Sequence, residues 1–334
     1  MNKLISVIIP AYNNESFLED CLQSLLEQTY PHFEAIVIDD GSLDNTWELC
    51  EKLQKRDDRI HIFRQKHQGV SITRNRGMEL ASGNYFVFLD GDDMLHPDFL
   101  KCLLNRLLET KADMAGCNFF RIASTKVKKE PAKNFTENFD KPWKSLNPEQ
   151  VQEWFYNKSN STLGMASCKI ITKSLICSGE QQKFAPTVSL GEDTLFIYQL
   201  IKKGVHFEFT DVKGYLYRMH NNSATHSWEP FNNKDPLSIY KQIRDEEFHL
   251  GHIEYAKKYE KLYLSVLRNK YNMAKRDGQK EICRKLCIEG HEAMSDPAFV
   301  GSRLIYYLTF HSRLLYIIGR FIWHCIKMLR GDKK

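Results

Sequence analysis

No stretch of this 334-residue chain stays apolar for the ~20 residues that a membrane-spanning helix needs. Cysteine is present without a pattern. The nine residues, an odd number, include no Cys-x-x-Cys pair. The closest two, Cys283 and Cys287, sit one helical turn apart with no second pair or neighbouring histidine to complete a zinc set. That excludes a zinc ribbon and a disulfide framework, and predicts reduced cytosolic thiols used mostly as core filler. Internal repeats and low-complexity tracts are also missing. The start, Met1-Asn2-Lys3-Leu4, runs directly into a strand and leaves no room for a signal peptide, so the expected location is cytoplasmic. A basic surplus is missing from most of the chain as well. Residues 300–334 hold seven basic residues against Asp332 alone, an excess larger than the net +5 of the whole chain. The rest is slightly acidic, which argues against a nucleic-acid-binding surface and for a local anionic partner of the tail.

What is present is an ordinary globular composition, 42% hydrophobic and 27% charged, long enough for one large domain and a smaller attachment. Leu4–Pro10 and Phe33–Ile38 are continuous apolar runs, as strands of a sheet covered on both faces should be. Asn14 can cap a helix in which Leu18, Cys21, Leu22, Leu25 and Leu26 share a face. A helix follows from about Leu43, with Trp47 and Cys50 facing inward. Ile60–Phe63 is a third strand, residues 69–81 a helix, Tyr85–Leu89 a fourth strand, then a helix after Pro97 and a strand near Asp113–Arg121. Strand and helix alternating at this spacing predict a doubly wound α/β domain.

Residues 122–165 break the rhythm and are expected to form an irregular insertion with one short helix around Val151–Tyr156. Order returns at Ala166–Ile171. Asp193–Lys202 is expected to be helical, and Val205–Phe209 and Gly214–Arg218 to form two further strands. The expected division is a catalytic-type domain over 1–225 and a helical region over 226–334.

Function-like signals gather where the apolar runs stop. The first strand ends in Pro10-Ala11-Tyr12-Asn13, the second in Asp39-Asp40-Gly41-Ser42, and the fourth in Asp90-Gly91-Asp92-Asp93. Open α/β sheets bind ligands at this carboxyl-end rim. Three carboxylates so close repel one another unless a cation sits among them, and hard oxygen ligands suit magnesium or manganese. The plain alternative is a solvated turn, with Asp39-Asp40-Gly41-Ser42 a turn and helix cap. Asp40 within an apolar rim needs a donor, which the N–H of a pyrimidine ring would supply. Asp93 is an alternative cap for the helix after it.

Taken in order, Ser6-Val-Ile-Ile-Pro-Ala-Tyr-Asn13, Ile38-Asp-Asp-Gly-Ser-Leu-Asp44, Gly69 to Gly77 with Arg74-Asn75, Phe88-Leu-Asp-Gly-Asp-Asp93 and Gly191-Glu-Asp193 resemble the family-2 inverting glycosyltransferases of the GT-A fold. The resemblance spans residues 4–220. It implies an α/β GT-A domain with a helical C-terminal extension. It also implies a metal-dependent transferase that moves one sugar from a nucleotide-diphospho-sugar, a UDP-sugar first, to a glycan or lipid-linked acceptor hydroxyl during bacterial surface-polysaccharide synthesis. Pro10, Tyr12 and Asp40 then line the base pocket, with Asp39 beside them. Arg74 approaches the base or diphosphate, its alternative being a helix-surface arginine. Asp90 and Asp92 form the Asp-x-Asp motif, with Asp92 the direct ligand of a divalent cation (Mn2+ or Mg2+) and Asp90 nearer the ribose and the metal's waters. Asp193 is the general base and Glu192 its fallback, the alternative being acidic residues at a helix N-terminus. Arg218 and His220 are candidates for the diphosphate, from a segment that is often a mobile loop in related enzymes.

The glutamine–arginine–tryptophan signature of processive synthases is missing, which favours single-sugar transfer. Two other readings stay open. A sugar-nucleotidyltransferase would carry a glycine-rich basic loop after the first strand, unlike Pro10-Ala11-Tyr12-Asn13. A non-catalytic membrane-associated assembly scaffold would be expected to lose Asp92 or Asp193. In the tail, Arg313, Arg320 and Lys327 recur every seven residues beside a broad apolar face that includes Trp323. That pattern predicts a helix over 300–330 lying on anionic lipid at the inner face of the cell membrane, with packing on the domain or a homodimer contact as alternatives.

Overall fold

A computed structural model describes residues 3–128, 130–157, 162–188, 190–220 and 237–296. The chain forms two compact units, Met1–Ser227 and Trp228–Lys334. The first runs β1 (Ile5–Ala11), α1 (Leu18–Leu26), β2 (Phe33–Asp39), α2 (Thr46–Gln54), β3 (Ile60–Arg64), α3 (Val70–Leu80), β4 (Tyr85–Phe88), β5 (Met94–Leu95), α4 (Phe99–Thr110), β6 (Met114–Ala123), β7 (Trp143–Leu146), α5 (Pro148–Asn157), β8 (Lys169–Thr172), α6 (Lys173–Cys177), α7 (Glu192–Ile201) and β9 (Phe207–Met219). One nine-stranded sheet has the order β3-β2-β1-β4-β8-β6-β9-β5, with β7 pairing the Phe207–Thr210 end of β9. β1 lies parallel to β2 and β4, and β2 to β3. Beyond β4 the sheet turns mixed, because β8 runs antiparallel to both β4 and β6.

Chemistry follows from register. Ala11 is level with Asp39, and Ile8 with Phe88, so β1, β2 and β4 deliver their next residues to one rim. All seven residues of β2 are buried. Leu18, Cys21, Leu22 and Leu25 of α1 pack under the sheet with Leu100, Leu103 and Leu104 of α4. Burying a leucine contributes roughly 1.5–3 kcal/mol, so these two helices fix the strand ends firmly.

Several expectations need correction. Asn14 does not cap α1; its Oδ1 accepts the Tyr12 N–H at 2.8 Å, and Phe17 occupies the cap position. Residues 122–165 are more regular than their composition suggests, since β7 extends the sheet and α5 covers ten residues. The two strands expected at 205–218 are a single thirteen-residue β9, parallel to β6. Its Asp211-Val-Lys-Gly214 stretch looks like a turn, but Gly214 is there for close packing. A Cβ at that position would lie 2.6 Å from the Phe139 ring and 2.8 Å from Cys117 Sγ.

The second unit contains α8 (Leu237–His249), α9 (Ile253–Arg276) and α10 (Lys280–Ser295) around Tyr263, Leu267 and Leu286. Cys283 and Cys287 are partly buried against that core as thiols. The basic tail at 300–330 and the loop expected after His220 lie outside the described residues. No helix among the described residues is long and apolar enough to cross a membrane.

Candidate active site

Two loops cross-link to build the rim. Asn13, in the left-handed region at φ 52°, accepts the Leu43 N–H at 2.9 Å, and its own N–H donates to Ser42 Oγ at 2.9 Å. Asn14 N–H donates to Thr46 Oγ1 at 2.8 Å. Asp39 is buried, takes the Ser42 N–H at 3.1 Å and lies 2.9 Å from Arg64 Nε, so it orients its own loop. Gly41 makes the turn possible: at φ +76° an added Cβ would sit 2.8 Å from the His67 nitrogen.

Asp40 is engaged from within the protein. Its carboxylate takes Gln65 Nε2 at 2.7 Å, the Gln68 N–H at 3.0 Å and the Gly69 N–H at 2.8 Å, with His67 Nδ1 at 2.9 Å. Tyr12, 40% exposed, stacks on the His67 ring at 4.2 Å. Pro10 is half-buried next to them in sequence. The residues expected around a base are therefore brought together, with His67 occupying one face of Tyr12.

Arg74 is not on the helix surface. Its side chain is 5% exposed, and Nη1 donates to Glu192 Oε1 at 2.9 Å and Asp193 Oδ1 at 2.7 Å while Nη2 donates to Asp90 Oδ1 at 2.8 Å. One cation thus holds three carboxylates from two distant segments, and Phe184 lies 5.2 Å beneath the guanidinium. Charge-assisted bonds of this kind are about twice as strong as neutral ones. Its buried Nε has no hydrogen-bond partner among the described residues.

Burial pushes the Asp193 carboxyl up to about 6, with Glu192 and Asp90 adding to the rise and Arg74 and the Ala166 N–H opposing it. That amide donates to Asp193 Oδ2 at 3.0 Å. Asp90 is likewise raised by burial and by Asp92, against the pull of Arg74. A carboxylate poised near neutrality is suited to accept a proton.

The remaining rim residues pair off. Asp92 Oδ2 lies 2.8 Å from His220 Nε2, at the end of β9. Asp93 does not cap the next helix, a position held by Asp98. It is buried, accepts the Tyr215 hydroxyl at 2.7 Å and the Arg218 N–H at 2.8 Å, and is pushed well above the ordinary carboxylate range by burial and by Asp92 and Asp90. Arg218 is buried too; its Nη2 donates to Asp20 at 3.0 Å and its guanidinium covers the Phe17 ring at 5.1 Å. It is placed as a support for α1.

Asp90 and Asp92 offer the hard oxygen donors that suit a small divalent cation. Among the described residues no group of three His, Cys, Asp or Glu is placed to hold a metal ion. Such a cation would draw the rest of its shell from water and phosphate, as magnesium and manganese sites commonly do.

Sequence reading passed over Lys169. It is 1% exposed, and its Nζ donates to the carbonyls of Thr162, Met165 and Ser167. Burial lowers it to about 8. These bonds shape the segment whose Ala166 N–H holds Asp193, and Cys168 in the same segment has φ 67°, a costly conformation for a residue with a Cβ. A lone lysine inside the apolar Ser167–Thr172 stretch was the available signal.

Residues 6–176 match the model of the family described as Glycosyl transferase family 2, just over half of the chain. The chain belongs to that family. Among similar proteins, the uncharacterized glycosyltransferase EpsJ of Bacillus subtilis is 28% identical over 225 residues, covering 67% of this chain and 64% of EpsJ. Glycosyltransferase GlyA of Streptococcus pneumoniae is 40% identical over 116 residues, 35% of this chain and 17% of GlyA. The chain thus spans less than two thirds of these curated relatives. TarS of S. aureus, solved with UDP-GlcNAc, superposes with TM-score 0.62 at 19% identity, over 94% of this chain and 88% of that one. The mannosyltransferase PcManGT of Pyrobaculum calidifontis, in complex with GDP-Man and Mn2+, gives 0.53 at 15%, over 100% of this chain and 89% of that one. The architecture of this family-2 chain is therefore GT-A.

Proposed function

We propose that this protein transfers a single sugar from a nucleotide-diphospho-sugar to a hydroxyl of a glycan or lipid-linked acceptor, with inversion, in bacterial surface-polysaccharide synthesis. One observation carries the reading: Arg74 holds Asp193, poised at about 6, beside Asp90 of the Asp-Gly-Asp-Asp rim. The relatives point the same way, since TuaG of Bacillus subtilis is described as a putative teichuronic acid biosynthesis glycosyltransferase. TarS was solved with UDP, which makes uridine the first base to test.

In this reading Asp40 and Tyr12 receive the base, and His67 swings aside. Its side chain is 56% exposed, so the displacement costs little packing. Asp92 and Asp90 would hold a divalent cation, whose charge would offset the negative charge that develops on the departing diphosphate. The rim needs such help: Asp40, Asp90, Asp92, Asp93, Glu192 and Asp193 outnumber the cations facing them, so a bare diphosphate would be repelled. Asp193 takes the proton from the acceptor hydroxyl as its oxygen attacks the anomeric carbon from the face opposite the diphosphate. The C–O bond to the diphosphate breaks, the configuration inverts, and no covalent enzyme intermediate forms. We extend the proposal to a peripheral membrane location through the basic tail.

The test is calorimetry of UDP with and without manganese, on the wild type and on Asp92→Ala. Manganese-dependent binding that the variant loses supports the reading. Folded wild type that binds none of UDP, GDP or dTDP with metal present overturns it.

A further inference from the structure

Between β6, β7, α5 and β9 lies a cleft of about 600 Å3 that none of the rim chemistry uses. Its volume is within the range of small-molecule sites. We propose that this cleft is a saccharide subsite that grips the acceptor glycan beyond the sugar being modified; the assignment of the ligand as acceptor rests on the transferase reading above.

The walls have the chemistry of a sugar site. Trp154 is half-buried and held in place, its ring edge-on to Phe209 at 4.8 Å and nearly parallel to Phe207 at 6.0 Å. A rigid aromatic body of this kind offers contact area at low entropic cost, and the C–H face of a pyranose packs on such a ring. Around it stand groups suited to hydroxyls. Asn118 Oδ1 is occupied by the Thr162 hydroxyl at 3.0 Å and the Phe119 N–H at 2.9 Å, which orients the amide and leaves Nδ2 with no partner among the described residues. Gln150 Oε1 accepts the Asn147 N–H at 3.1 Å, and its Nε2 is similarly available.

Charge decides the ligand class. Lys144 is neutralised by Asp211 at 2.6 Å, and Glu153 also lines the cleft. The described lining residues therefore carry no surplus positive charge, which disfavours a phosphate, a nucleotide or an acidic peptide and suits a neutral polyhydroxylated chain. An apolar ligand is disfavoured by the amides and the ion pair, which it would leave desolvated.

Position links the cleft to the reaction. Thr162 lines its edge and begins the segment that Lys169 shapes. Four residues later Ala166 donates to Asp193, and four residues span at most about 14 Å. A glycan lying in the cleft thus ends within a short oligosaccharide's reach of the proposed base.

The test is an array of neutral oligosaccharide fragments of bacterial capsular polysaccharides and lipopolysaccharides probed with the 334-residue protein. It compares the wild type, Trp154→Ala, Trp154→Phe and, on the exposed helix surface, Gln150→Ala. The wild type should retain at least one glycan class. Trp154→Ala should lose at least tenfold in apparent affinity, Trp154→Phe should keep most of it, and Gln150→Ala should lose several-fold with unchanged thermal unfolding. Metal-dependent UDP, GDP or dTDP binding, measured on the same samples, should be equal in all four. A wild type that binds nucleotide but no glycan overturns the cleft alone, as does Trp154→Ala or Gln150→Ala binding as tightly as the wild type. Glycan binding without any nucleotide binding overturns the transferase reading and leaves the cleft standing as a saccharide site.

Discussion

Replacing Arg74 by glutamine is the sharpest perturbation of this fold. The guanidinium is buried and donates to Asp90, Glu192 and Asp193, so its loss leaves three carboxylates facing one another with no cation. Breaking a buried ion pair by removing one partner costs about 3–5 kcal/mol, a large part of the ~5–15 kcal/mol stability of a typical domain. The loss must depend on pH. Asp193 is already raised to about 6 with Arg74 present, and Asp90 is raised as well; without the arginine, both move higher. A carboxyl whose folded pKa exceeds its unfolded value binds more protons when folded, so stability falls as pH rises between the two values. The penalty is therefore full above the raised pKa values and shrinks as pH falls through 6 toward 4. Urea unfolding of wild type and Arg74→Gln at pH 5 and pH 8 measures it, with the larger difference expected at pH 8. Arg74→Lys should fall between them, since a single ammonium cannot fork to three acceptors. A penalty that is the same at both pH values, or below about 1 kcal/mol, would refute the idea that Arg74 is the charge hub.

Asp193→Asn should lower transfer by roughly 10²–10⁴-fold, the usual contribution of a general base, with donor affinity intact. The wild-type kcat should rise with pH through about 6 and level off as Asp193 loses its proton; a flat profile from pH 5 to 8 would remove Asp193 as the base. Lys169→Met frees the carbonyls of Thr162 and Met165, so stability should drop by about 1.5–3 kcal/mol and kcat should fall with no change in donor Kd; an unchanged kcat would mean the segment holds Asp193 without it. For the tail, the triple change Arg313→Gln, Arg320→Gln and Lys327→Gln should abolish flotation with phosphatidylglycerol vesicles. Losing three cations near an anionic surface removes about 3 kcal/mol, roughly a hundredfold. Equal flotation with neutral and anionic vesicles would reject lipid charge as the partner.

The parts of this molecule that read directly from sequence are those in which one local pattern has one physical solution. An apolar run such as Tyr85–Leu89 that stops at three carboxylates must be buried along its length and open at its end, and the register of β1 with β2 and β4 puts those ends on one rim. What did not read out depends on partners far along the chain. Arg74 and Arg76 are alike in sequence. Only contacts 118 and 119 positions away separate the buried clamp from Arg76, which reaches the Arg64 carbonyl at 3.1 Å. Asp40 was legible as a buried acceptor, but nothing local shows that the backbone of Gln68 and Gly69 would satisfy it.

β9 makes the same point from packing. Its charged, glycine-containing middle has the composition of a turn, yet it continues because Gly214 lets Phe139 and Cys117 approach closely. The register against β6 shifts on both sides of Asn118. That irregularity coincides with the amide that lines the cleft. A bulge next to a binding residue is a common way to re-aim a side chain, and here it lies between strand residues 95 positions apart, Asn118 and Lys213. The carboxylates of the rim are thus encoded locally and visible early. The surface assigned to acceptor choice is encoded in long-range register, so it appears only once the sheet has been assembled.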